Sequence, residues 1–248
     1  MAYRAKARRP VWQSPMAIVS VVALALALVV ILVNQKPSAA KGGLLIPPAT
    51  YAGATVKDAT LGSATAPVVL AVYSDFQCPF CGRFVRDQFA NLKIQFVDTG
   101  VLRIEAHDID IVGRGTVNNE SIELATGARC AAAQGKYWTY HDYVFWNQLN
   151  ENVGEYNEAY ITSIANASGL DMTAFKTCVA GNTERAAVIQ ETNAAHQLGV
   201  SSTPTWSLNG GALTPGVPDA AALATRIQAL AAAASGSPTA TPTASTAP

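Results

Sequence analysis

Charge is scarce in this chain: Asp, Glu, Lys and Arg make up 14% of its 248 residues, and 17 basic side chains balance 17 acidic ones. With no basic field to hold a phosphate backbone, nucleic acid is not an expected partner. Histidine is sparse too. His107, His141 and His196 lie scattered along the chain, and each is read as a core or surface residue. Four cysteines are too few to build a disulfide-stapled miniprotein, and no internal repeat is visible. What remains is a 50% apolar composition, enough for one sizeable core with attachments.

Long apolar runs are absent but for one. Met16 to Val33 carries no charge, and as a helix these residues would reach roughly 27 Å, near the hydrocarbon thickness of a bilayer. Arg4, Lys6, Arg8 and Arg9 precede it, and positive charge stays on the cytoplasmic side, so everything after Asn34 is expected outside. The expected layout is a cytoplasmic tail at 1–15, a transmembrane anchor at 16–33 and a linker at 34–54 rich in Pro and Gly. The protein would then be a single-pass cell-membrane protein with its domain on the extracytoplasmic side. A cleaved signal peptide is the competing reading, since Ser38 and Ala40 form a small-residue pair, although signal cores usually hold about 7–15 apolar residues. At the other end, 235–248 contains only Ser, Gly, Pro, Thr and Ala, and is expected to be a disordered tail.

Residues 55–234 carry the folded domain. Val68 to Tyr73 is a short apolar, β-rich run, read as a buried central strand. Phe84, Val85, Phe89, Leu92 and Phe96 then recur at helical spacing up to Gly100, and Val101 to Ala106 reads as a second strand, parallel to the first. A helical stretch follows from Glu120 to Leu198, within an insertion at about 113–198. Next come the strand Thr205–Leu208, a Gly210-Gly211 turn, a short strand near Leu213 and a helix from Pro218 to Ala234. The class is α/β: a βαβ half and a ββα half sharing a central mixed sheet, split by inserted helices.

Cys78-Pro79-Phe80-Cys81 falls where the first strand gives way to the helix. A sulfur there lies among unpaired N–H groups at the positive end of the helix dipole, which favours thiolate, the nucleophile of disulfide exchange. Cys81, one turn on, is placed to attack a mixed disulfide on Cys78. Pro79 suits the first helical turn and Phe80 offers apolar surface. Zinc knuckles use the same spacing, but Cys130 and Cys178 stand too far apart for a second such pair, so neither metal nor cofactor is expected. In an oxidising compartment those two cysteines most simply bond to each other, the alternative being a second redox pair. Trp138, Tyr140, Tyr143, Phe145 and Trp146 read first as the core of the insertion and second as a substrate groove.

Three stretches resemble the DsbA-like thiol-disulfide oxidoreductases of the thioredoxin superfamily. They are Ala66-Pro67-Val68 through Ser74-Asp75-Phe76-Gln77-Cys78-Pro79-Phe80-Cys81, then Gly135-Lys136-Tyr137-Trp138 with Tyr140-His141-Asp142, and Gly199 through Thr205. The resemblance spans about residues 56–234 and implies a thioredoxin fold with inserted helices. It further implies a cis peptide at Thr203-Pro204, with the Thr203 backbone free to pair with substrate. It implies an oxidase that passes the Cys78–Cys81 disulfide to cysteines of exported proteins. A membrane quinone-linked partner, DsbB-like or vitamin K epoxide reductase-like, would reoxidise it. A reductase or isomerase is the runner-up, and a non-catalytic anchored binding or chaperone module comes from a different class. One position departs from the family. Thioredoxins and most similar DsbA-like proteins carry a buried carboxylate six residues before the first cysteine, where this chain has Val72. Asp75 is read as a turn or capping residue before it is read as a substitute proton carrier.

Overall fold

The computed structural model describes residues 43–48, 51 and 56–236. The expected tail at 1–15, anchor at 16–33 and most of the linker and C-terminal tail lie outside the described residues. Among the described residues no helix is long and apolar enough to cross a membrane.

Strand β3 (Val68–Ser74) alternates buried and half-buried side chains along its length and runs parallel to β4 (Leu102–Asp108), from Val68 beside Leu102 to Ser74 beside Asp108. Parallel neighbours need a crossover, here the helical run at 79–97. It opens as α1 (Pro79–Phe84), passes through a five-residue π-turn at Val85–Phe89, the single turn α2 (Ala90–Leu92) and a second π-turn at Lys93–Val97. The spacing of Phe84, Phe89 and Phe96 predicts one uninterrupted helix. The π-turns slip its register while keeping Phe84, Val85, Phe89, Leu92 and Phe96 buried.

The second half adds β5 (Thr205–Leu208), antiparallel to β3, and β6 (Thr214–Pro215), antiparallel to β5. Their turn centres on Asn209-Gly210, both at positive φ, one residue before the expected Gly210-Gly211 pair. Asn209 earns that place twice, because its side chain also accepts from the Val69 N–H at 2.6 Å and so holds the start of β3. β4 begins one residue later and ends two later than its apolar run suggests, because parallel pairing with β3 carries it through the polar His107 and Asp108.

Two short strands were not apparent in the sequence. β1 (Val56–Lys57) and β2 (Thr60–Leu61) pair antiparallel, and β2 continues onto β4, giving the order β1-β2-β4-β3-β5-β6. At two residues each they are too short to generate a readable alternation. The result is a mixed six-stranded sheet. The last helix, α8 (Ala220–Gly236), starts two residues after Pro218 and takes in Ser235 and Gly236.

Between β4 and β5 lie five inserted helices: α3 (Glu120–Ala132), α4 (Tyr137–Trp146), α5 (Glu158–Ala167), α6 (Met172–Ala180) and α7 (Asn182–Gln197). Asn119, Asn157 and Asp171 begin α3, α5 and α6 by accepting N–H groups that have no helical partner. α4 is apolar nearly all round and sits at the centre: Tyr137, Trp138, Tyr140, Val144 and Phe145 are buried. Trp138 stacks on Phe89 of the crossover with centroids 5.2 Å apart, so insertion and sheet domain share one core. Leu45 and Tyr51, read from sequence as linker, touch this helix. The Asn147 amide pairs with both backbone groups of Leu45, and the Tyr51 hydroxyl donates to Asp142 at 2.5 Å.

Candidate functional site

Between the end of β3 and the start of α1, the chain reverses in a tight turn. Asp75 accepts the Cys78 N–H on its carbonyl and the Gln77 N–H on its side chain, which delivers Cys78 in extended geometry to the cap position of α1. Pro79 then occupies the first helical turn and loses no bond by lacking an N–H. Gly82 follows, and an added Cβ there would press on the side chains of Arg86 and Gln148. That closeness has a use: the Gln148 amide reaches the carbonyls of Phe76 and Cys78, each at 2.9 Å.

The two cysteines are unbonded to each other and differ in setting. Cys78 is 5% exposed and Cys81 fully buried. The Cys78 thiol lies 3.2 Å from the carbonyl of Thr203, and the Thr203-Pro204 peptide bond is cis. The Cys81 thiol, bonding to the Cys78 sulfur, is the largest influence holding Cys78 down at about 6; burial opposes it, and the Thr203 side chain and the N–H groups of Cys81 and Phe80 reinforce it. Cys81 moves the opposite way. Burial pushes its thiol well above the ordinary range, its bond to Cys78 and the charge there add to this, and only the Asp75 backbone and the Ser74 hydroxyl favour its thiolate. One sulfur is thus prepared to be an anion beside the surface, the other to stay protonated beneath it.

Phe80 is 54% exposed, with the Arg83 guanidinium 5.3 Å above its ring. The structure therefore brings Cys78, Pro79, Phe80, Cys81, Thr203 and Pro204 into one place. Cys130 on α3 and Cys178 on α6 are bonded to each other within the insertion, apart from that place. His141 is buried beside Asp142, His107 meets Glu191, and His196 meets Arg114; none hydrogen-bonds to either free sulfur. Val72 is buried in β3, and Asp75 just beyond it is a turn residue whose two oxygens accept four hydrogen bonds.

Sequence reasoning missed the polar residues behind the turn: Gln77, Ser121, Gln148 and Asn152. The last two belong to Asn147-Gln148-Leu149-Asn150-Glu151-Asn152, and this amide-rich stretch was the available signal, since amides can both donate and accept toward a neighbouring backbone.

Residues 54–229 match the family described as Thioredoxin. A curated relative, Na(+)/H(+) antiporter NhaA 3 of Salinispora tropica, is 29% identical over 154 residues, and the chain spans only 22% of that protein's length. Probable disulfide bond formation protein D of Bacillus cereus is 23% identical over 159 residues, covering 63% of this chain and 72% of that one. Among solved structures, oxidised BdbD from Bacillus subtilis superposes with a TM-score of 0.63 at 17% identity, over 77% of this chain and all of the other. Oxidised Mtb DsbA gives 0.59 at 21% identity, over 70% and 92%. At such identities the structural likeness speaks for the fold.

Proposed function

The chain belongs to the thioredoxin family with a DsbA-like arrangement of sheet and inserted helices, and from that premise we propose that it is an extracytoplasmic thiol-disulfide oxidoreductase acting as an oxidase of exported proteins. The observation that carries the reading is the contrast between Cys78, held as a thiolate down to about pH 6, and the buried, protonated Cys81.

In the oxidised protein, a substrate thiolate attacks the Cys78 sulfur. A substrate–Cys78 disulfide forms, the Cys78–Cys81 bond breaks, and Cys81 leaves with the electron pair and takes up a proton. A second substrate thiolate then attacks its own partner sulfur. The substrate disulfide closes and Cys78 departs as thiolate. A sulfur with a low pKa leaves readily, and a stabilised thiolate favours the reduced enzyme, so the disulfide is given up rather than kept. The extended backbone of a substrate would pair with Thr203 beside the cis proline, over the apolar face of Phe80.

The compartment rests on the sequence: an apolar run at Met16 to Val33 behind four basic residues favours a single-pass anchor with the domain outside. A membrane quinone-linked reoxidase, DsbB-like or vitamin K epoxide reductase-like, would then restore the disulfide. Equilibration with glutathione tests the direction. The oxidase reading expects a potential well above thioredoxin's value of about −270 mV, and a value at or below it would make the protein a reductase. Reoxidation of reduced RNase, lost in Cys78→Ala, separates catalysis from a binding or chaperone role.

A further inference from the structure

Behind the Cys78 turn lies a closed ring of polar groups, buried at Asp75, Gln77 and Ser121 and reaching the surface at Asn152. Asp75 and Ser121 are 1% exposed and Gln77 is fully buried. One Asp75 oxygen accepts the Gln77 N–H at 2.9 Å and the Ser121 hydroxyl at 2.7 Å; the other accepts the N–H groups of Ile111 and Val112, both at 2.8 Å. The Gln77 amide donates to Ser121 at 2.8 Å and to the Asn152 side chain at 3.3 Å, and accepts the Asn152 N–H at 2.7 Å. Asn152 closes the ring by donating to the Val112 carbonyl at 2.9 Å, from a backbone at φ 53°.

The ring ties four pieces together: the turn that presents Cys78, the loop leaving β4, the start of helix α3, and the loop after α4. Apolar side chains could fill the same space, but they would leave the insertion free to slide over the turn. A fully paired polar ring fixes one arrangement, because any slip strands a buried donor or acceptor. Ser121 is the one member contributed by a regular helix of the insertion, and it both donates to Asp75 and accepts from Gln77.

We propose that Ser121 is a positioning residue through which the helical insertion holds the Asp75–Gln77 turn and thereby sets the reactivity of Cys78, a role that rests on the redox reading of that cysteine. A loosened turn moves the Cys78 sulfur off the N–H groups of Phe80 and Cys81 and so withdraws their stabilisation of its thiolate. Burial already raises the Asp75 pKa, and losing the Ser121 hydroxyl, one of the groups that lower it, makes that carboxyl easier to protonate, so the effect on Cys78 comes from the position of the turn. The other ionisable groups around the turn are Cys81 beneath the sulfur, Arg83 and Arg86 on the crossover helix, Glu120 at the start of α3, which accepts the Tyr156 N–H, Tyr156 itself, and Glu151 beside Asn152.

The test is the pH profile of Cys78 alkylation by iodoacetamide in the full chain, with Cys78 and Cys81 reduced and Cys130–Cys178 intact. Ser121→Ala should raise the midpoint by about half a pH unit or more, a roughly twofold loss of thiolate at the original midpoint and about threefold well below it. Ser121→Thr, which keeps the hydroxyl, should restore it. If Ser121→Ala fails to fold, Asn152→Gly opens the ring from the other side while keeping the positive φ, and should shift the midpoint the same way. An unchanged midpoint in a folded Ser121→Ala or Asn152→Gly protein, whatever its melting temperature, would overturn the proposal, as would Ser121→Thr behaving like Ser121→Ala. Alkylation needs no protein substrate. A shifted midpoint in a protein that oxidises nothing would therefore leave the positioning role standing and remove the oxidase reading alone.

Discussion

Cys78 and Cys81 stand three residues apart, and their surroundings separate them further than sequence does. The Cys78 thiol, held at about 6, is a nucleophile at neutral pH. Its alkylation rate in the reduced protein should rise through a midpoint near pH 6, and a midpoint near the ordinary thiol value of about 8.5 would remove the basis of the oxidase assignment. The same shift fixes the sign of a stability effect. A folded-state value below the unfolded one stabilises the reduced fold fully above about pH 8.5, progressively less as pH falls, and not at all below about 6. Urea unfolding at pH 5 and pH 8.5 should therefore show the reduced form losing stability in acid relative to the oxidised form, which carries no such thiolate. Cys81 supplies the complementary prediction. With no carboxylate at position 72 and its thiol raised by burial, its attack on a mixed disulfide should accelerate about tenfold per pH unit above neutrality, as its thiolate fraction does. Stopped-flow measurement of mixed-disulfide resolution gives that slope, and a flat profile would reveal a proton acceptor other than solvent.

Among the elements, α3 joins the redox turn to the rest of the insertion. Its N-terminal turn carries Ser121 against Asp75, and its C-terminal half carries Cys130, bonded to Cys178 on α6 across a sequence separation of 48. Closing a loop of that length stabilises by about 4 kcal/mol in the chain-entropy account. The double variant Cys130→Ser, Cys178→Ser should lose a stability of that order in denaturant unfolding and keep most of its exchange rate, because neither sulfur reaches Cys78. A collapse of the exchange rate with stability intact would instead make the pair a second redox centre.

At the scale of the whole molecule, the insertion and the sheet domain form one packed body among the described residues. Tyr51 shows how the chain ahead of the sheet enters it: its hydroxyl satisfies one oxygen of Asp142, whose other oxygen faces His141, and all of this is packed around Trp138. Tyr51→Phe strips a buried carboxylate of a partner, so a loss of about 1–3 kcal/mol is expected in thermal or urea unfolding. A variant as stable as the native chain would show that the segment is no more than a tether.

What the sequence determined by itself was local, and confined to elements long enough to carry a pattern. The apolar run at 68–73, the helical spacing of the phenylalanines and the Cys-Pro-Phe-Cys junction each follow from neighbours within one or two turns, and so place the strand, the crossover and the cysteine pair. Chain direction through that crossover also settles the parallel pairing of β3 with β4. The resemblance already implied that the Thr203-Pro204 loop faces Cys78, across 125 residues, while the tertiary structure alone decided the other distant meetings: Ser121 and Asn152 behind the turn, β2 on the edge of β4. Ser121, Gln148 and Asn152 look like ordinary helix and loop residues because a polar side chain carries no periodic mark of the partner it will find. Their role arises only when burial removes water and leaves each donor and acceptor to be satisfied by whatever the fold has placed within hydrogen-bonding reach.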